Sequence, residues 1–139
     1  MKTPEKPPRL NSIAISVVVP VRDEEDSIRA LLDGLLGQTR PPDEIVITDG
    51  GSVDQTRAIV QEFIRRGMPV KLLTDDDSLP GRGRNIGVRN ASNDWIAFVD
   101  AGVRPAATWL QALADKIINQ SEAEVVYGSY EPMTDSFFE

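Results

Sequence analysis

Aspartate and arginine side chains suited to a charged ligand fall close to the ends of predicted strands. Asp49 and Asp100 each follow an apolar run, and the pair Arg84 and Asn85 precedes the second of these runs. Ligands of open α/β sheets bind outside the carboxyl ends of parallel strands, so we expect the two aspartates to share one rim. Carboxylates suit a hard divalent cation, and arginine suits a phosphate.

The composition restricts this chemistry to oxygen ligands. The 139 residues include no Cys and no His, which excludes disulfides, thiolate metal sites and the commonest general base. A formal net charge of -7 argues against nucleic acid as a partner, because such a protein needs a basic face. No apolar run approaches the roughly 20 residues that span a bilayer. Any membrane association is therefore expected to be peripheral.

Apolar runs alternate with segments of helical period along the chain. Strands are predicted at residues 13–19, 44–48, 70–74, 95–99 and 124–127, with Pro20 ending the first of them. The segments between strands place apolar side chains at helical spacing. This order predicts an α/β domain with a doubly wound, mostly parallel sheet flanked by helices. Residues 1–12, rich in proline and charge, are predicted to form a flexible tail before a domain at 13–139.

Local signals predict where the helices begin and which faces they bury. Asp23 is a predicted N-cap of the first helix, and Ser52 with Gln55 has the spacing of a capping box for the second. The third helix, at residues 82–91, is expected to turn Ile86 and Val88 inward. The aspartate run at 75–77 is interpreted as a solvated loop rather than a metal site, because adjacent side chains point in different directions.

Four blocks of sequence carry a family resemblance. They are VVVPVRDEEDSI, GQTRPPDEIVITDGGSVDQT, GRGRNIGVRNA and NDWIAFVDAGVRP. In this order and spacing, over residues 15–130, the chain resembles the family 2 glycosyltransferases. The nucleotide-sugar-binding half of such enzymes has the Rossmann-like GT-A fold. The resemblance implies a donor-binding portion, truncated before the acceptor-side portion.

The resemblance implies that the loop after the first strand lies against a nucleoside. The corresponding residues are Pro20, Val21, Arg22, Asp23 and Glu24. The alternative is that Asp23 and Glu24 only cap a helix, and the two interpretations are compatible.

Two further matches imply contacts with the nucleotide. Asp49 and Gly50 correspond to a turn that holds the base, but Gly50 replaces an aspartate, so a uridine nucleotide is favoured by resemblance alone. Arg84 and Asn85 match an Arg-Asn pair. An arginine there suits a phosphate, and the alternative is an ion pair with Asp100 or Asp49.

The Asp-X-Asp signature of the family corresponds to Asp100, Ala101 and Gly102. It implies a carboxylate-held Mg²⁺ or Mn²⁺ that neutralises the diphosphate of the donor. Asp100 is thus the predicted metal ligand. Gly102 replaces the last aspartate, and weaker metal binding is expected.

The implied activity is inverting transfer of a sugar from a nucleotide-diphosphate sugar, with a UDP-sugar favoured, to an acceptor hydroxyl. The family's catalytic base lies downstream of this half, so no catalytic residue is assigned; Asp135 and Glu139 are carboxylates without a matching motif. A non-catalytic nucleotide-sugar-binding or assembly module is the alternative. A phospho-acceptor receiver domain is disfavoured, because the lysine it needs near the last strand is not seen. We expect a cytoplasmic location, possible also at the inner face of the membrane. We also expect self-association through apolar surface that the missing acceptor-side portion would leave exposed.

Overall fold

Parallel strands alternate with helices in the computed structural model, which describes residues 13–120 and 122–126. The strands are β1 (Ile15–Val21), β2 (Glu44–Asp49), β3 (Val70–Thr74) and β4 (Trp95–Phe98). The helices are α1 (Ile28–Leu36), α2 (Thr56–Arg65), α3 (Pro80–Asn90) and α4 (Trp109–Asn119). The sheet order is β3-β2-β1-β4, and all pairs are parallel. This confirms the predicted α/β class.

The two central strands are the most deeply buried elements. Val17, Val18 and Val19 of β1 and Ile45 and Val46 of β2 are fully buried, as expected for strands covered on both faces. The chain adds β2 and β3 on one side of β1 and then β4 on the other. The strand order therefore reverses between β1 and β4, which is where open α/β sheets bind ligands.

Helix α3 lies unusually close to the sheet because glycines form its contact face. A Cβ atom on Gly87 would lie 2.3 Å from Val18 Cγ1, and one on Gly83 would lie 2.9 Å from Thr48 Oγ1. The prediction that Ile86 and Val88 point inward was wrong: Ile86 is partly buried and Val88 is exposed. The helix face that carries Gly83 and Gly87, rather than the face that carries Val88, packs against the strands.

Two strand predictions also require correction. β1 continues through Pro20 to Val21. Its pairing with β4 ends at Val18, so Pro20 lies in an edge-like stretch where a missing N–H is tolerated. Residues 124–126 do not form a strand, and Val125 is exposed; the remaining predicted strand residue, Tyr127, lies outside the described residues. The predicted tail at residues 1–12 and the predicted end of the domain at residue 139 also lie outside the described residues, and these two boundaries stay predictions.

The amino-terminal end of β2, away from the carboxyl ends of the strands, is fastened by a partly buried hydrogen-bond network around the Glu44 carboxylate. Its carboxylate accepts hydrogen bonds from Ser16 Oγ at 2.7 Å and from the Ser92 N–H at 2.8 Å, and it pairs with Lys71 Nζ at 2.9 Å. Burial raises the pKa of Glu44, but the hydrogen bonds from Ser92, Ser16 and Lys71 outweigh burial and lower the pKa to about 2.

We expect Glu44→Gln to lower the free energy of unfolding at pH 7 by about 1.5 to 3 kcal/mol, the usual range for hydrogen bonds to a charged group. The pKa of Glu44 is lowered in the folded state from 4.5 to about 2. The contribution is therefore complete above pH 4.5 and is lost as the pH falls toward about 2. Urea unfolding at pH 7 and pH 3 should show a smaller difference between variant and wild type at pH 3. Equal differences at both pH values would contradict this, and Glu124→Gln at an exposed position is the control.

Within the described part of the chain, none of the helices has the length and apolar character needed to cross a bilayer.

Candidate functional site

A cavity of about 390 Å³ opens at the carboxyl ends of β1, β2 and β4. Most of the predicted site residues line it: Pro20, Val21, Arg22, Glu24, Gly50, Arg84, Asp100 and Ala101. Asp23, Asp49 and Asn85 are not among its lining residues. The structure thus gathers residues from all four sequence blocks around one space at the rim. That these residues contact a ligand stays a prediction.

The lining also includes residues that the sequence analysis missed. Thr48, Ser78, Leu79, Pro80 and Gly83 contribute to the wall. Thr48 could have been found, since it occupies the carboxyl end of a strand beside Asp49. Ser78 and Leu79 carry no comparable signal, because the loop after β3 brings them to the cavity through tertiary contacts.

The loop after β1 is held by the loop before α2. Asp23 has a left-handed φ of 51°, its N–H donates to Ser52 Oγ at 2.9 Å, and its Oδ1 accepts from the Val53 N–H at 2.8 Å. The prediction that Asp23 caps α1 was therefore wrong, because its carboxylate is engaged near the start of α2. α1 begins only at Ile28. The contacts orient the preceding residues, Val21 and Arg22, along the cavity.

The capping box predicted for α2 is also absent from its start. Ser52 Oγ accepts from Asp23, while Asp54 Oδ1 accepts from the Thr56 N–H at 2.9 Å. Gln55 occupies the N-cap position without a side-chain cap hydrogen bond. The acceptor for the first turn is thus Asp54, and Ser52 is used to hold the neighbouring loop.

The buried side chain of Asp49 holds the turn after β2 through hydrogen bonds. Its Oδ1 accepts from the N–H groups of Gly51 and Ser52, both at 2.8 Å, and from Arg57 Nε at 3.0 Å. Burial raises the pKa of Asp49, but the hydrogen bonds from Ser52, Gly51 and Arg57 outweigh it and hold the pKa below its ordinary value. The carboxylate is charged at neutral pH and fixes the turn that carries Gly50.

Gly50 lies where the chain has no room for a side chain. A Cβ atom there would lie 2.6 Å from the Ser78 carbonyl oxygen and 3.3 Å from Ser78 Oγ. The Gly50 N–H donates to the Val21 carbonyl, and its own carbonyl accepts from the Asp77 N–H, each at 2.9 Å. The loop after β3 thus closes directly on this glycine.

The three consecutive aspartates in that loop pair with arginines from three other segments. Asp75 contacts Arg82, Asp76 contacts Arg57 at 2.8 Å, and Asp77 contacts Arg22 at 3.9 Å. The side chains diverge, as expected, which agrees with interpretation as a loop rather than a metal site. The ion pairs join the loop to the loop after β1, to α2 and to α3.

Arg84 and Asp100 form an ion pair at the cavity, with Arg84 Nη2 2.9 Å from Asp100 Oδ1. The alternative in which Arg84 pairs with Asp100 is therefore the arrangement observed, and Asn85 is exposed on α3. The Asp100 side chain is 65% exposed. Most of the Asp100 side chain is thus accessible to a ligand.

The donor set for a cation centres on Asp100. Among residues 13–120 and 122–126, no three Asp or Glu side chains group as a metal site. Asp100 offers a hard oxygen, and an added Cβ at Gly102 would meet no atom within 4 Å. A divalent cation fits this carboxylate if other oxygens come from a bound phosphate and water.

The family model described as glycosyl transferase family 2 matches residues 16–138. The chain belongs to this family. Among curated relatives of this family 2 glycosyltransferase domain, glycosyltransferase GlyA from Streptococcus pneumoniae is 29% identical over 122 residues, which are 88% of this chain and 17% of GlyA. Glycosyltransferase AglE from Haloferax volcanii is 30% identical over 100 residues, covering 70% of this chain and 33% of AglE. The chain thus spans a third or less of the length of these two relatives.

Solved structures agree with the GT-A architecture of this family 2 domain. TarS 1-349 from S. aureus in complex with UDP-GlcNAc superposes with a TM-score of 0.71 at 30% identity, over 78% of this chain and 32% of that one. Mannosyltransferase PcManGT from Pyrobaculum calidifontis, in complex with GDP-Man and Mn²⁺, gives a TM-score of 0.66 at 24% identity over 76% and 32%. The second likeness shows the fold alone.

Proposed function

We propose that this chain is the donor-binding part of a glycosyltransferase and binds a nucleotide-diphosphate sugar in the rim cavity. The observation that carries the proposal is the cavity at the reversal of strand order, lined by Arg22, Arg84 and Asp100. A nucleotide-diphosphate sugar needs both an apolar wall and charged groups, and this cavity has both. The UDP-GlcNAc complex of TarS supports a uridine nucleotide.

The residues divide into two roles. The loop of Pro20, Val21 and Arg22 forms one wall against the nucleoside, held by its contacts with the start of α2. Arg84 and Asp100 form the charged part, where Arg84 orients the carboxylate and can donate to phosphate oxygens. Asp49 supports the site indirectly by fixing the turn at Gly50, whereas Asn85 lies on the exposed side of α3.

A divalent metal fits beside Asp100, the one residue proposed to hold it. When bound, Mg²⁺ or Mn²⁺ would neutralise negative charge on the diphosphate. Ala101, 4% exposed, packs in the core and fixes the turn that follows β4. The turn is closed by the Val103 N–H donating to the Asp100 carbonyl at 3.0 Å. The chain thereby presents the carboxylate from a hydrogen-bonded turn.

Transfer of the sugar to an acceptor hydroxyl, with inversion, belongs to the same proposal. That step needs a base to remove the acceptor proton. Asp135 and Glu139 lie outside the described residues, so no residue is assigned as base. The acceptor portion is proposed to come from sequence beyond the donor-binding half.

We expect the chain to bind UDP or a UDP-sugar more tightly with Mn²⁺ than without it. Isothermal titration calorimetry with UDP, GDP, UDP-GlcNAc and GDP-Man, each with Mn²⁺ and with EDTA, measures this directly. Binding of at least one nucleotide, enhanced by Mn²⁺, is the expected result. Absence of binding to all of them would overturn the donor-site proposal.

A non-catalytic nucleotide-sugar-binding module is the second candidate, favoured by Gly102 in place of a second carboxylate. It differs from the first in its dependence on metal. Nucleotide-sugar binding that is equal in Mn²⁺ and EDTA would favour the binding module.

Cytoplasmic location, peripheral membrane contact and self-association remain proposals. Light scattering of the chain tests self-association.

A further inference from the structure

Arg84 and Asp100 neutralise each other in the wall of the cavity, where the proposed ligands need both of them. Arg84 Nη2 lies 2.9 Å from Asp100 Oδ1, and both residues line the cavity. The Arg84 side chain is 38% exposed and the Asp100 side chain is 65% exposed. A ligand can therefore reach both groups, and it meets an ion pair rather than a free arginine and a free carboxylate.

The other arginine that lines the cavity, Arg22, is held less closely. Arg22 Nη2 lies 3.9 Å from Asp77 Oδ1, and the Asp77 side chain is 94% exposed. An ion pair of this kind contributes little attraction in water. Arg84 is thus the cavity arginine whose charge is most directly opposed by a carboxylate. That carboxylate, on Asp100, is also the one proposed to hold the cation.

The backbones on both sides of this pair are held by contacts of their own. α3 packs on β1 through Gly87, where an added Cβ atom would lie 2.3 Å from Val18 Cγ1. The Asp100 carbonyl accepts from the Val103 N–H at 3.0 Å in the turn after β4. The long side chain of Arg84 is therefore the part that can exchange partners while the helix keeps its place.

A guanidinium and a divalent cation compete for one carboxylate. Both are positive, so each weakens the binding of the other when they lie close together. A phosphate changes this balance, because its oxygens accept charge-assisted hydrogen bonds from arginine. Once Arg84 donates to a phosphate, the Asp100 carboxylate is available to the cation.

We infer that Arg84 competes with the divalent cation for Asp100 in the absence of nucleotide and exchanges Asp100 for the diphosphate when the nucleotide binds. The inference rests on the proposed function. Arg84 is then a positioning residue that couples the two ligands. Nucleotide binding frees Asp100 for the cation and, by thermodynamic reciprocity, cation binding at Asp100 frees Arg84 for the phosphate.

Arg84→Gln separates competition from simple orientation of Asp100. If Arg84 only orients the carboxylate, its removal weakens Mn²⁺ binding, whereas if Arg84 competes, its removal strengthens Mn²⁺ binding. We expect the affinity for Mn²⁺ without nucleotide to rise about threefold to fivefold, the effect of removing one partner of an exposed ion pair. The affinity for UDP in Mn²⁺ should fall about tenfold or more, because a charge-assisted hydrogen bond to phosphate is lost.

Titration of Mn²⁺ followed by electron paramagnetic resonance, without nucleotide, measures the first effect, and calorimetric titration of UDP in Mn²⁺ measures the second. Arg84→Lys should bind Mn²⁺ alone like wild type, because the observed contact joins one arginine nitrogen to one carboxylate oxygen and an ammonium group can replace it. Arg89→Gln removes the same charge from an exposed position of α3 and is the matched control. Urea unfolding checks that all variants fold.

A higher Mn²⁺ affinity in Arg84→Gln, with no gain in Arg89→Gln, supports the inference. An equal gain in both variants overturns it, because net charge rather than the position of Arg84 would then control binding. An unchanged or lower Mn²⁺ affinity in Arg84→Gln, or no detectable binding to either protein, also overturns it. Failure of the wild type to bind UDP in Mn²⁺ would instead overturn the proposed function, while the titration with Mn²⁺ alone would still show whether Arg84 opposes the cation.

Discussion

Asp100→Asn is expected to weaken Mn²⁺-dependent binding of UDP by about 10- to 100-fold, or roughly 1.4 to 3 kcal/mol. Asparagine keeps the shape of the side chain and removes the negative charge that a hard cation needs. Asp100 is exposed, and its pair with Arg84 is a surface ion pair, which contributes about 1 kcal/mol or less to stability. The variant should therefore fold like wild type, so that the loss is one of binding.

Calorimetric titration with UDP in Mn²⁺ and in EDTA separates the two parts of the effect. The loss should be confined to the Mn²⁺ series, because the nucleoside wall is unchanged. Asp94→Asn is the matched control, since Asp94 is exposed immediately before β4 whereas Asp100 follows it. An equal loss for both variants would mean that overall charge, rather than the position of Asp100, controls binding. An unchanged affinity in Asp100→Asn would remove Asp100 from the metal site.

The positions of β2, β3 and β4 could be predicted because their apolar runs decide burial directly. β2 and β3 were predicted to within one residue, and β4 ends one residue before its predicted end. Exposure of an apolar run such as Ile45 to Ile47 to water is unfavourable. The run therefore predicts a strand that is covered on both faces of the sheet. The rim on which Asp100 lies follows in turn, because parallel strands share their direction.

The loop contacts could not be predicted because they depend on partners distant in the chain. Asp23 has the residue type and position of a helix cap, yet its carboxylate accepts from Val53, about 30 positions away. The inward face of α3 was misjudged for a related reason. Gly83 and Gly87 face β1 and β2 because only glycine permits so close an approach. The spacing of apolar side chains cannot predict a contact face that is made of glycines.

Gly102 stands where a second carboxylate would complete the donor set. The position is exposed, a Cβ atom there meets no atom within 4 Å, and its φ is outside the left-handed range. The backbone therefore accepts an aspartate without rearrangement. This contrasts with Gly50, where a side chain would collide with the Ser78 carbonyl, so only one of the two departures from the family pattern can be reversed by a single substitution.

We expect Gly102→Asp to raise the affinity for Mn²⁺ in the presence of UDP by about tenfold, or roughly 1.4 kcal/mol. A second carboxylate near a divalent cation adds Coulomb attraction, which exposure to solvent reduces well below the roughly 4 kcal/mol expected for unit charges 4 Å apart near a protein surface. Titration of Mn²⁺ into the UDP-saturated chain measures the gain. Gly34→Asp, on the exposed face of α1 where an added Cβ is equally free of contacts, adds the same charge elsewhere. Combining Gly102→Asp with Asp100→Asn should remove most of the gain, because the two carboxylates then no longer act on one cation; a full gain in the double variant would show that the new aspartate binds metal without Asp100.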